Sequence, residues 1–201
     1  MKYAHTALLG IGLLLSACGS APTEHYYTLL GTPPVGRVGD AVAAAGPTPA
    51  ITIASVTLPE AVERSELVVR SGSNSVTVME TQHWAESLKS AVPRAIAGDL
   101  SRLLDGATVS VQADNASRDA KYLVYIDITR FDSVLNVAVS VDAIWSVRLA
   151  GGEQIKAGKS SLRVPVASGG FEQLVAAHAQ ALGELSGEMA TQIKTIKMAG
   201  K

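Results

Sequence analysis

The sequence predicts an α+β fold: a two-layer domain with a mostly antiparallel sheet and two main helices packed on one face. Three observations predict it. Residues 122–166 hold long runs in which apolar and polar residues alternate, the period of a half-buried strand. Residues 84–103 and 171–193 instead repeat apolar side chains every three or four positions, the period of a helix with one buried stripe. Each helical stretch closes a group of strand-like runs, an order that belongs to α+β domains.

The chain opens with a segment outside this fold. Lys2 gives a positive start, Ala7 to Leu15 an apolar stretch, and Ser16-Ala17 small residues before a cut. The apolar stretch is far shorter than the ~20 residues that span a bilayer. Residues 1–17 therefore read as a signal peptide that is removed. Leu15-Ser16-Ala17-Cys18 resembles the bacterial lipobox, Leu-(Ala/Ser)-(Gly/Ala)-Cys, at all four positions. That resemblance implies cleavage between Ala17 and Cys18, a diacylglycerol on the thiol, and an N-acyl chain such as palmitate on the new amine. Two or three acyl chains anchor a protein stably, where one holds it only marginally. Acylation also accounts for the chain's single cysteine, which has no disulfide partner. Gly19 follows Cys18, whereas bacterial lipoproteins kept in the inner membrane tend to carry Asp there. The expected place is the outer membrane, facing the periplasm. Residues 18–25 form a lipidated tether, at most ~25 Å when extended.

The domain follows over residues 26–198. "HYYTLL" (25–30) reads as a short strand rich in β-formers. Residues 31–50, rich in Gly, Pro and Ala, read as a mobile loop. "ITIASVTLP" alternates from Ile51 and ends at Pro59. "ELVVRSGSNSVTVME" is two strand runs about a Ser-Gly-Ser-Asn turn. Trp84, Leu88, Val92, Ile96, Leu100 and Leu103 then predict a helix, kinked or split at Pro93 and stopped by Gly106.

"ATVSVQ" is a short strand, and "YLVYIDITRF" sets Tyr122, Val124, Ile126 and Ile128 on one face. Val137, Val139, Val141, Ala143, Trp145, Val147 and Leu149 share a face of the next strand. Gly151-Gly152 turns the chain into a further strand at about 154–166. Phe171, Leu174, Val175, His178, Leu182, Leu185, Met189 and Ile193 predict the last helix.

Composition narrows the function. The chain carries 17 Lys and Arg against 18 Asp and Glu, a net charge of −1, with no basic run, so nucleic acid is no partner. "GGEQIKAGKSS" (151–161) has five residues between Gly152 and Gly158, one too many for a P-loop, and lies between two strands. Of the four histidines, His5 leaves with the signal. His25, His83 and His178 do not stand at metal-ligand spacing. His178 falls on the apolar stripe of the last helix and reads as a core or interface residue; His83 reads as packing or capping at a helix entrance. No nucleophile elbow or Ser-x-x-Lys motif sits on a strand-to-helix turn. Glu60 and Glu63 read as solvated loop charges, and Asp127 and Asp142 as solvent-facing or partner-facing strand residues. The expectation is no enzyme, no catalytic residue and no metal.

Several segments in order resemble one family: "YYTL" soon after the lipobox cysteine, "ELVVR" before a hairpin, "HWAESL", "TRFD", and "LVAAHAQALGELSGEMA" in the last helix. The chain resembles the ABC-type transport auxiliary lipoproteins of the PqiC/YmbA kind. The resemblance implies a subunit serving an ATP-binding cassette system whose periplasmic component carries MCE domains. Such systems move lipids, chiefly phospholipid, between the two membranes and keep the envelope intact. The lipoprotein is then the outer-membrane end that docks the MCE protein. The alternative is a free-standing lipid carrier or envelope-assembly lipoprotein. The candidate docking face carries Leu123, Tyr125, Asp127, Thr129 and Phe131, a mixture suited to a partner or to a second copy in a homo-oligomer. Leu123, Tyr125 and Phe131 are its apolar members.

Overall fold

The structure, a computed structural model, describes residues 22–30, 50–104 and 107–199. Ala17, Cys18 and the rest of the signal, the start of the tether, the Gly106 stop, and the 31–50 loop except Ala50 lie outside the described residues.

The elements run β1 (His25–Tyr27), β2 (Ala50–Thr57), a 3-10 turn (Glu60–Val62), β3 (Glu66–Arg70), β4 (Val76–Trp84) and α1 (Leu88–Leu103). Then come β5 (Thr108–Val111), a second 3-10 turn (Asn115–Asp119), β6 (Tyr122–Val134), β7 (Ala138–Leu149), β8 (Gln154–Pro165) and α2 (Gly170–Ala199). The α+β class and the two helices match the sequence reading. The strands form two sheets, ordered β1-β4-β3 and β5-β2-β6-β7-β8. The long β6–β7–β8 ladders and β3–β4 are antiparallel, while β1–β4, β2–β5 and β2–β6 are parallel. A parallel pair needs a long crossover. Between β2 and β5 that crossover is β3, β4 and α1.

Local chemistry explains the turns. Asn136 between β6 and β7 takes φ 57°, a left-handed conformation that Asn tolerates, and Gly152 between β7 and β8 takes φ 94°. The expected β7–β8 hairpin is there. Three boundaries differ from expectation. Trp84 ends β4 rather than opening a helix: it pairs with Tyr27, and its N–H donates to the Ser65 carbonyl at 2.7 Å. The helix begins at Leu88, after Ser87 holds the extended conformation of an N-cap. His83 therefore sits on a strand, its ring stacked on Tyr26 at 5.3 Å. Pro93 neither splits nor ends α1, which runs through it as one helix. Val137 lies in the turn before β7 and is 51% exposed.

Both helices pack on one face of the five-stranded sheet, α2 over β7 and β8, α1 over β2 and β5, and against each other. Val92, Ile96 and Leu100 of α1 are fully buried, as are Leu174, Leu182, Leu185 and Met189 of α2. Opposite them Val124, Val139, Val141 and Val147 are equally closed off. Each such side chain contributes ~1.5–3 kcal/mol by leaving water. Small residues, Ala91 on α1 and Ala181 on α2, also lie in this core.

Candidate functional site

The other face of the five-stranded sheet lacks a helical cover among the described residues. The Asn115–Asp119 turn contacts β2, where Thr52 and Ser110 share a buried 3.0 Å hydrogen bond, and β3 of the small sheet contacts β6. Leu123 and Tyr125 on β6 are half-buried, and Asp127 and Thr129 are exposed. Neighbouring strands add Ile144, 49% exposed, and the exposed Arg148, Lys159 and Arg163. The Arg148 guanidinium stands 5.1 Å from the Tyr125 ring centre, a cation–π contact that shields the ring's face. Asp127 accepts from Thr57 at 2.9 Å, and Asp142 from Ser161 at 2.6 Å. The solvent-facing or partner-facing reading of these two acids fits that placement.

Phe131 is not on this face. The β6–β7 register shifts between Ile128 and Arg130, so Thr129 and Arg130 are both exposed and the alternation restarts one residue late. Phe131 turns inward, is 3% exposed, and cannot meet a partner. Its ring stacks on His178 at 4.1 Å.

At the end of β6 a cleft of about 640 Å³ lies between the small sheet and the large one. Arg70 grips Asp132 through both carboxylate oxygens at 2.9–3.2 Å, and Arg130 adds a 2.8 Å bond. Burial alone raises the Asp132 carboxyl, but hydrogen bonds and charge from Arg70 and Arg130 outweigh it and hold the group below its ordinary value. Sequence reading missed this cluster; Arg70 and Asp132 stand 62 positions apart and no local pattern joins them.

Beneath the cleft, Ser133 Oγ lies 2.7 Å from His178 Nε2. The pair has the outline of a nucleophile and its base, but not the chemistry. Burial pushes the His178 ring down to about 3, with Asp132 only partly opposing, so it is a poor proton acceptor near neutrality. Among the described residues its Nδ1 has no hydrogen-bond partner to orient the ring. Ser133 is 7% exposed. His178 is a core residue, as its place on the apolar stripe predicts. Among the described residues no three His, Cys, Asp or Glu side chains could hold a metal ion, and no helix is long and apolar enough to cross a membrane.

Gly158 of the P-loop-like stretch has a packing role. A Cβ there would lie 2.3 Å from Cζ2 of Trp145, its cross-strand neighbour on the core face. Trp145 Nε1–H donates to Ser160, whose hydroxyl donates to Glu188 of α2. Gly158→Val should displace the indole and cost about 2–3 kcal/mol, as overpacking a filled core does. A thermal midpoint lowered by about 5–10 °C checks this; an unchanged midpoint would mean that Trp145 has room to move.

The model of the ABC-type transport auxiliary lipoprotein component family matches residues 27–190, from the end of β1 to the last turns of α2. The chain belongs to this family. No curated protein matches the sequence of this auxiliary lipoprotein. Two solved structures share its fold. A crystal structure of an uncharacterized protein has TM-score 0.68 at 19% identity, covering 86% of this chain and 99% of that one. A protein of the DUF330 family from Xanthomonas campestris has TM-score 0.63 at 15% identity, covering 89% and 100%. Both sets of helices and sheets in the auxiliary lipoprotein thus follow an arrangement already seen in crystals.

Proposed function

We propose that this auxiliary lipoprotein is held in the outer membrane by acyl chains on Cys18, faces the periplasm, and docks the MCE-domain protein of an ABC-type lipid transport system without catalysing a reaction. The observation that carries the reading is the outer sheet face. In a family of transport accessories, this chain leaves that side of its main sheet without a helical cover among the described residues and sets Leu123, Tyr125 and Ile144 there among charged groups. Interfaces of this mixed composition are ordinary for subunits that must also be stable alone. The Ser133–His178 pair, with its acidified and unoriented imidazole, supports a role without chemistry.

The test is direct binding of the purified, detergent-solubilised chain to the MCE-domain protein from the same cell. Leu123→Ser with Tyr125→Ser should weaken the complex at least about tenfold, since central aromatic and aliphatic contacts carry most interface energy. Unchanged affinity moves the contact off this face. No binding at all, together with stoichiometric phospholipid on a Cys18→Ser protein, would favour the free-standing carrier.

A further inference from the structure

Among the described residues four strands lie at sheet edges: β1 and β3 in the small sheet, β5 and β8 in the large one. Three are short, at three, five and four residues, while β8 has twelve. Short edges give a passing strand little to pair with; a long one is a template for another chain. Among the described residues only β7 and α2 make extensive contact with β8.

The direction of its backbone groups follows from the two ends of the β7–β8 ladder. Val166 N–H donates to the Val137 carbonyl, and Leu149 N–H to the Glu153 carbonyl. In an antiparallel strand each residue's N–H and C=O share a side, and sides alternate. Odd positions of β7 thus face β8, and their partners are the even positions from 156 to 166. Ala157, Lys159, Ser161 and Arg163 therefore turn their N–H and C=O groups outward, and all four are exposed. The register shift at Val147/Arg148 bounds this edge at one end. Pro165, with no N–H, bounds it at the other.

Charge decides what can pair there. The side chains at 159 and 163 are Lys and Arg, and β8 holds no acid. A second copy added by two-fold symmetry about Ser161 sets Lys159 opposite Arg163 twice, and like charges directly opposite oppose pairing. A strand with carboxylates four residues apart meets both cations.

We propose that the outward edge of β8, from Ala157 to Arg163, adds a strand from a partner protein: an extended segment with acidic side chains at positions i and i+4. Main-chain hydrogen bonds give the affinity and the Lys159/Arg163 spacing gives the selectivity. The inference rests on the docking reading only for the identity of that partner.

The experiment is hydrogen exchange on the full mature chain in detergent. The probes are a blocked Thr-Val-Glu-Val-Thr-Val-Glu-Val-Thr peptide and, separately, the MCE-domain protein. The peptide should slow exchange at 157–163. Lys159→Glu with Arg163→Glu should weaken it about tenfold or more, from two reversed cross-strand pairs. A peptide with Lys in place of Glu should bind that variant and not the parent, a rescue that a misfolded chain would not show. Ser161→Pro, which removes an outward N–H and leaves the β7 ladder intact, should abolish protection by either probe. No protection, protection elsewhere, or indifference to charge reversal overturns the proposal. So does self-association of the parent chain that Ser161→Pro abolishes, since the edge then belongs to a second copy. MCE binding untouched by these variants sinks the edge and leaves the docking reading standing. Peptide binding without MCE binding does the reverse.

Discussion

A chain carrying Cys18→Ser is expected to take up no labelled fatty acid and to persist as an uncleaved precursor. The expectation follows from the lipobox reading of residues 15–18. On that reading serine offers an oxygen where the lipid would be transferred to a thiol, and the lipidated cysteine would define the cut after Ala17. The effect on location is correspondingly large. Each acyl CH₂ buried in the bilayer contributes ~0.8 kcal/mol, so losing two or three chains removes an anchor that is effectively permanent. Label retained by the serine variant, with normal maturation, would end the lipobox reading.

The second large effect is acid instability centred on His178. The ring is neutral in the folded chain down to about 3, because it is buried, and gains a proton near 6.5 once unfolded. Between those values the unfolded state binds more protons, so stability falls as pH falls. From pH 7 to pH 5 the loss is about 2 kcal/mol, nearly all of it set by the unfolded value. Asp132 acts in the same sense at lower pH, since its folded carboxyl lies below the ordinary value and its contribution is lost on protonation. Asp99 acts oppositely: burial raises it above its ordinary value despite Arg102, so protonation there favours the folded state. Urea midpoints at pH 7 and pH 5 give the measurement. His178→Phe, which keeps a ring against Phe131 and removes the titrating group, should lose most of the pH slope. Equal slopes in the parent and the variant would mean that another group carries the acid response.

The same residue shows how far local pattern reaches. Its place at an i, i+3/i+4 stripe marked His178 as buried, and it is. The stripe could not tell that Phe131 would be its stacking partner, because alternation from Leu123 puts Phe131 on the opposite face. One extra residue at Thr129 reverses that, and an extra residue leaves no trace in composition. The start of α1 failed in a similar way. Trp84 and Leu88 have helical spacing, yet pairing of Trp84 with Tyr27, 57 positions away, extends β4 and delays the helix until Leu88.

By itself the sequence determined the α+β class, both helices and the β6–β7–β8 run. Each is written in short-range periodicity. Only the tertiary structure decided that the strands form two sheets with parallel ladders, that Arg70 and Asp132 meet, and that β8 is left at an edge. The reason is physical. A residue's period depends on the side chains within a turn or two of it. Register, bulges and strand neighbours depend on which distant backbone groups win each other's hydrogen bonds, and that competition is settled only when the whole core packs.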